Sequence, residues 1–116
     1  MLNKKYRLKK HSAFIATYKV KHSLSKGGIT LWAGKEKTDD SVLTKVGFVV
    51  SKKTHKRAVK RNRLKRLMRE SYRLIMKNKL APDNYMSLIF VGHENALNKN
   101  FNDIQNSVEE LLKGIK

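Results

Sequence analysis

Residues 56–70 read KRAVKRNRLKRLMRE. More than half are Lys or Arg, and the one carboxylate, Glu70, comes last. Like charges this close repel, so the segment holds one shape only if something offsets the repulsion. On a helix turning about 100° per residue, Leu64, Leu67, Met68, Leu74 and Ile75 fall within a stripe about 120° wide. Asn62, Lys65, Arg66, Arg69 and Arg73 fall opposite, with Arg61 and Arg63 at the two borders. The pattern predicts a helix over 56–77 whose apolar stripe docks on a sheet. Its other face is a positive ribbon. Asn62, Arg66, Arg69 and Arg73 step by four, three and four residues, so their side chains stack along one line.

A line of guanidinium groups suits phosphates, because each planar fork meets two oxygens where Lys offers a point charge. Asn62 adds an amide for a phosphate, a base edge or a backbone group. A solvated helix face is the plainer explanation of such charge. The segment has almost no acidic neighbours, so the usual i,i+4 ion pairs are missing, and a polyanionic ligand explains it better.

The rest of the chain agrees. Over 116 residues Lys and Arg outnumber Asp and Glu 27 to 9, a net charge of +18. A surface this positive is self-repelling until it meets a polyanion, of which nucleic acid and anionic membrane are the common ones. No run approaches the ~18 apolar residues of a spanning helix, and no lipidation signal is visible. The N-terminus, MLNKKYRLKKHSAF, is basic with no apolar segment behind its charges. That speaks against a secretory signal and for a cytoplasmic protein. Without Cys, neither disulfides nor Cys-based zinc sites are available. The length suits a single domain, 1–116, with one modest core.

Three breaks divide the chain: KGG at 26–28, GKEKTDDS at 34–41 and APDN at 81–84. Residues 11–20 read as a short helix with Ser12 as N-cap. Residues 28–34 alternate, with Ile29 and Leu31 on one face and Thr30 and Trp32 on the other. Residues 43–50, LTKVGFVV, and 85–91, YMSLIFV, read as strands, the second buried and central. Residues 101–113 form a last amphipathic helix with Ile104, Val108, Leu111 and Leu112 inward. The expected fold is α+β in the order α-β-β-α-β-α, a two-layer sandwich of a small mixed sheet and about three helices. The long helix is placed as a crossover between parallel strands, right-handed by the usual chirality.

Three aromatics form a second constellation. Phe14 and Tyr18 share one face of the first helix, and Trp32 lies on the strand face opposite Ile29 and Leu31. An open sheet face with rings and nearby cations grips single-stranded nucleic acid, each stacked base contributing ~1–3 kcal/mol. Ordinary core packing explains Phe14 better than this and explains Tyr18 and Trp32 equally well. Protein-based catalysis is disfavoured. The nine carboxylates are scattered, with Asp39 and Asp40 in a loop and Glu109 and Glu110 splayed on a helix. His11, His22, His55 and His93 lack ligand spacing. His93 and Glu94 follow a strand, a common catalytic position, but the pair alone is a weak signal.

The stretch SKKTHKRAVKRNRLKRLMRE, residues 51–70, resembles the signature of the protein subunit of bacterial ribonuclease P. Ten positions match in fixed spacing: Lys52, Lys53, Ala58, Val59, Arg61, Asn62, Arg63, Lys65, Arg66 and Arg69. The opening YRLKKHSAF is similar to the family's N-terminus. The resemblance runs from about residue 6 to 112 and is weakest at 34–42 and 93–103.

The resemblance implies a small basic protein bound to a catalytic RNA, removing the 5′ leader of precursor tRNA by Mg²⁺-dependent hydrolysis. The RNA subunit would carry the chemistry and bind most of the Mg²⁺, and the protein would contribute no catalytic residue. Lys52, Lys53, Arg57, Lys60, Arg61, Asn62, Arg63, Lys65, Arg66, Arg69 and Arg73 become the candidate contacts to the catalytic RNA. Phe14, Tyr18 and Trp32 become the candidate lining of a cleft for the single-stranded leader. The resemblance also implies a left-handed crossover for the long helix, against the default. One departure is His55, where the family usually has a small residue, so the start of the helix is expected to differ. The competing reading is a ribosomal or other structural nucleic-acid-binding protein, which fits the charge but not the motif spacing. A protein nuclease acting alone is a third.

Overall fold

The computed structural model describes residues 2–39, 41–78 and 81–115. The elements are α1 (His11–Lys19), β1 (His22–Lys26), β2 (Ile29–Ala33), β3 (Lys45–Val49), α2 (Ala58–Lys77), β4 (Ser87–Gly92) and α3 (Phe101–Gly114). The six expected elements are present in the expected order, and β1 is an addition. The sheet runs β1-β2-β4-β3. Its first two pairings are antiparallel, and β3 lies parallel to β4 with α2 as the crossover between them.

β1 eluded periodicity because HSLSK holds one apolar residue, Leu24, which stays exposed at this sheet edge. The turn joining it to β2 was legible. Gly27 and Gly28 have φ of 61° and 83°, the left-handed pair that a two-residue hairpin needs. A side chain at Gly28 would also meet the backbone of Ala96.

Alternation assigns the two sheet faces. Ile29, Leu31 and Ala33 of β2, Leu88 and Phe90 of β4 and Val46 of β3 face α2 and α3. They pack with Leu64, Met68 and Ile75 of α2 and Ile104, Val108, Leu111 and Leu112 of α3. Phe48 and Phe90 stack with ring centroids 5.7 Å apart, and the buried Tyr72 tilts against Phe90 at 5.9 Å. Tyr72 extends the predicted stripe of α2 on one side, while Leu67 and Leu74 are only half-buried at the other. Burial raises the Tyr72 phenol well above its ordinary range.

The opposite face carries Trp32, Ile89 and Gly47 in one row and Thr30, Val91 and Val49 in the next. α1 covers part of it. A Cβ on Gly47 would come within 2.6 Å of the Phe14 ring, so the missing side chain is what seats the helix. The hydroxyls of Thr17 and Ser87 meet at 2.6 Å and fix the far side of α1. The N-cap of α1 is Lys10, not Ser12, and it makes no side-chain capping bond. Ser12 lies inside the first turn because the preceding chain is held to β3, where the Leu8 N–H donates to the Val46 carbonyl.

Candidate nucleic-acid interface

α2 is amphipathic, as its spacing requires, but its basic residues do not all face outward. Leu64, Met68, Ser71, Tyr72 and Ile75 are buried. Two arginines beside them, Arg63 and Arg61, take backbone carbonyls. Arg63 donates to the carbonyls of Leu97 and Lys99, at 2.9 and 3.1 Å, and ties α2 to the segment before α3. Arg61 donates from one nitrogen to the carbonyls of His55 and Lys56, both at 2.8 Å. It thereby folds the incoming loop against the helix. Arg73 donates from Nε to both carboxylate oxygens of Glu70 at 3.1 Å. This pair is i,i+3, and no i,i+4 ion pair appears on α2 among the described residues, as expected. The Arg73 hydrogen bond holds the Glu70 carboxyl below the usual carboxylate range. Arg69 lies with its guanidinium carbon 5.9 Å from the centre of the Phe48 ring, within cation–π range.

The others form the outward set. Lys52, Lys53, Arg57, Lys60, Asn62 and Arg66 are exposed, and Lys65 is half-buried. None of these cations appears among the ion pairs of the described residues. The start of α2 increases their field. Its N-cap is Arg57, without a side-chain capping bond, and the first turn has no acidic residue. The free N–H groups and the positive end of the helix dipole therefore point the same way as the side-chain charge. At this entry the Nδ1 of His55 accepts the Arg57 N–H at 3.0 Å and closes the turn into the helix.

Val59 was matched in the motif but not recognised as surface. It is 79% exposed on the first turn of α2. It lies three residues before Asn62 and seven before Arg66, hence on their face. A β-branched residue on the polar side of a basic helix was the signal available.

On the open sheet face the three predicted aromatics come together. Phe14 packs over Gly47, and Tyr18 meets Trp32 edge-on with centroids 5.2 Å apart. All three are half-buried, and partial burial raises the Tyr18 phenol above its ordinary range. A polar chain that sequence reasoning missed lies beside them. Thr30 Oγ1 is 2.8 Å from Ser25 Oγ and 2.9 Å from His93 Nε2. The His93 ring is thus a neighbour of the cleft, bonded to Thr30. The alternation of β2 already put Thr30 on this face, but Ser25 and His93 reach it only through the pairing of β1 and β4 with β2. The cleft and the basic segment are close in sequence as well, since Val49 of the open face precedes Lys52 by three residues.

Among the described residues no three His, Asp or Glu side chains gather to hold a metal ion. In the loop after β2 the Ser41 N–H donates to the Asp39 carboxylate at 2.9 Å and lowers its pKa. Asp40 lies outside the described residues. No helix among those residues is long and apolar enough to cross a membrane.

The same fold occurs in proteins of known structure. The chain superposes on the ribonuclease P protein of Staphylococcus aureus with a TM-score of 0.73 at 29% identity, over 93% of both chains. It shares the fold of the Thermotoga maritima ribonuclease P protein, with a TM-score of 0.78 at 23% identity over 95% and 97% of the two chains. In sequence it is 35% identical to the ribonuclease P protein component of Clostridium kluyveri, over 93% of this chain and 92% of that one. The identity is 36% to the same component of Clostridioides difficile, over 91% and 88% of the two chains. The family model for ribonuclease P matches residues 2–116. Motif, fold and near full-length similarity agree, and the chain belongs to the ribonuclease P protein family.

Proposed function

We propose that this chain is the RNA-binding protein subunit of a ribonuclease P. In that role it docks on a catalytic RNA through α2 and holds the 5′ leader of precursor tRNA in the aromatic cleft. The observation that carries the reading is the division of cations on α2. Arg61, Arg63 and Arg73 are engaged by the protein, whereas Arg57, Lys60 and Arg66, with the amide of Asn62, are exposed along the first half of a helix that starts uncapped. A folded helix gains nothing from that outward set. A run of phosphates gains both charge-assisted hydrogen bonds and neutralisation.

The cleft supplies the second half. A single strand crossing β4 and β2 stacks bases against Tyr18 and Trp32, and each stack contributes ~1–3 kcal/mol with little dependence on sequence. Such indifference suits a leader that differs from one precursor to the next. Among the described residues no carboxylates converge to hold a Mg²⁺ ion. In this reading the RNA subunit binds the Mg²⁺ and carries the hydrolysis that leaves the tRNA 5′ end. The protein's positive field lowers phosphate repulsion between the two RNAs. The complex works in the cytoplasm, where precursor tRNA is available.

Reconstitution tests this directly. The protein is mixed with a candidate catalytic RNA and precursor tRNA at low Mg²⁺. Stimulation of leader removal over RNA alone is expected, and its absence contradicts the reading. Trp32→Ala should weaken binding of leader-bearing substrate by roughly five- to 150-fold, the equivalent of one stack, and leave mature tRNA unchanged. Equal weakening of both would remove the cleft assignment.

A further inference from the structure

We propose a second nucleotide site, on the side of α1 away from the aromatic cleft, that takes one unstacked nucleotide of a bound RNA. Two adjoining concavities form it. One, of about 280 Å³, is lined by six cations: Lys4, Lys5, Arg7, Lys9, Lys10 and Lys45. No carboxylate lines it, and none of the six appears among the ion pairs of the described residues. The uncapped first turn of α1 begins at Lys10, so helix N–H groups add to the same field. The other concavity, of about 450 Å³, is mainly apolar and includes Ala16, Val42, Leu43 and Met86. Leu8, Ala13 and Lys45 line both, so the two are continuous.

The chemistry of the pair is that of a nucleotide. The basic pocket accepts a phosphate, and the apolar cavity is within the size range of small-ligand sites. Val42, Leu43 and Met86 are each more than 40% exposed, a cluster of apolar side chains at its edge that folding alone does not use. The hydroxyls of Thr17 and Ser87, bonded to each other, also line this cavity and keep acceptor capacity for a base edge. A cavity with charge on one side and apolar side chains on the other selects a base with its phosphate over either alone. The site is distinct from the aromatic cleft, because Ala13 and Ala16 project from α1 away from Phe14 and Tyr18, and none of Phe14, Tyr18 and Trp32 lines it.

The test is an amide NMR titration of the full chain with adenosine 5′-monophosphate, inorganic phosphate, adenosine and a five-residue single-stranded oligoadenylate. The monophosphate should shift Lys10, His11, Gly34 and Leu43 together, and phosphate only the first two. Oligoadenylate should act at lower concentration than the monophosphate. Ala16→Phe fills the apolar cavity from an exposed helix position and should weaken the monophosphate at least about fivefold. Lys45→Ala, at the junction, should weaken both monophosphate and phosphate, so the idea does not rest on one variant folding. Trp32→Ala should leave the shifts at Gly34 and Leu43 unchanged, which separates this site from the proposed leader cleft. The proposal is overturned if monophosphate and phosphate give the same shifts, or if neither variant changes affinity. A response to monophosphate without one to oligoadenylate overturns the assignment to RNA.

Discussion

α2 and α3 lie side by side on one sheet face, yet they are built by different rules. α3 is satisfied from within. Asn100 accepts the Asp103 N–H at 2.9 Å, Asp103 sits at the positive end of the helix, and Lys113 sits at the negative end. Its surface acids pair with Lys26 and Lys113. α2 buries a comparable stripe but begins without a cap or an acid, amid exposed cations and with Val59 in solvent. The contrast shows where stability and ligand binding separate. Where local preference and charge agree with the fold, the helix serves the fold, and where they conflict, the missing partner lies outside the chain.

The largest effect should come from breaking α3. Leu111→Ala removes a fully buried side chain and should cost about 2–5 kcal/mol in denaturant unfolding. A loss well below that would mean α3 is not the stabilising partner. Next, α2 can be given the cap it lacks. Arg57 already has extended N-cap geometry, with φ −79° and ψ 122°. Arg57→Asp should therefore stabilise the free protein by about 0.5–2 kcal/mol while weakening RNA binding. Gain in stability with undiminished RNA affinity would show that the uncapped end is not a ligand site. The smallest effect belongs to the one ion pair that α2 makes among the described residues. Folding lowers the Glu70 pKa, so its contribution is present above the ordinary carboxylate range and is lost as pH falls through the folded value. Glu70→Gln should therefore be slightly less stable near neutrality, with the difference closing in acid. A difference that stays constant with pH would exclude the Arg73 hydrogen bond as its source.

Much of this was legible in sequence because it rests on short periods. The 3.6-residue stripe of α2 and the alternation of Ile29, Leu31, Thr30 and Trp32 assign the faces by themselves. The motif spacing pointed to the family. β1 was not legible, since one exposed leucine leaves no period. Nor was the inward turn of Arg63. The carbonyls it binds are 34 and 36 residues along the chain, and only the tertiary fold brings them within reach. Ser12 has the right chemistry for a cap but the wrong place, because the strand-like pairing of the N-terminal segment sets where α1 begins. Tyr72 fell outside the stripe because its burial comes from the Phe48 and Phe90 rings, which the helix pattern alone does not contain.

The division of cations on α2 is the central claim, and salt dependence of RNA binding tests it most directly. The slope of log K against log salt should fall by about 0.7–0.9 in Arg66→Ala, the loss of one phosphate contact, with stability within about 0.5 kcal/mol of wild type. Arg63→Ala should do the reverse, losing stability because two carbonyls lose their donor while the slope is kept. Equal slope changes in the two variants, or a change only in Arg63→Ala, would contradict the account.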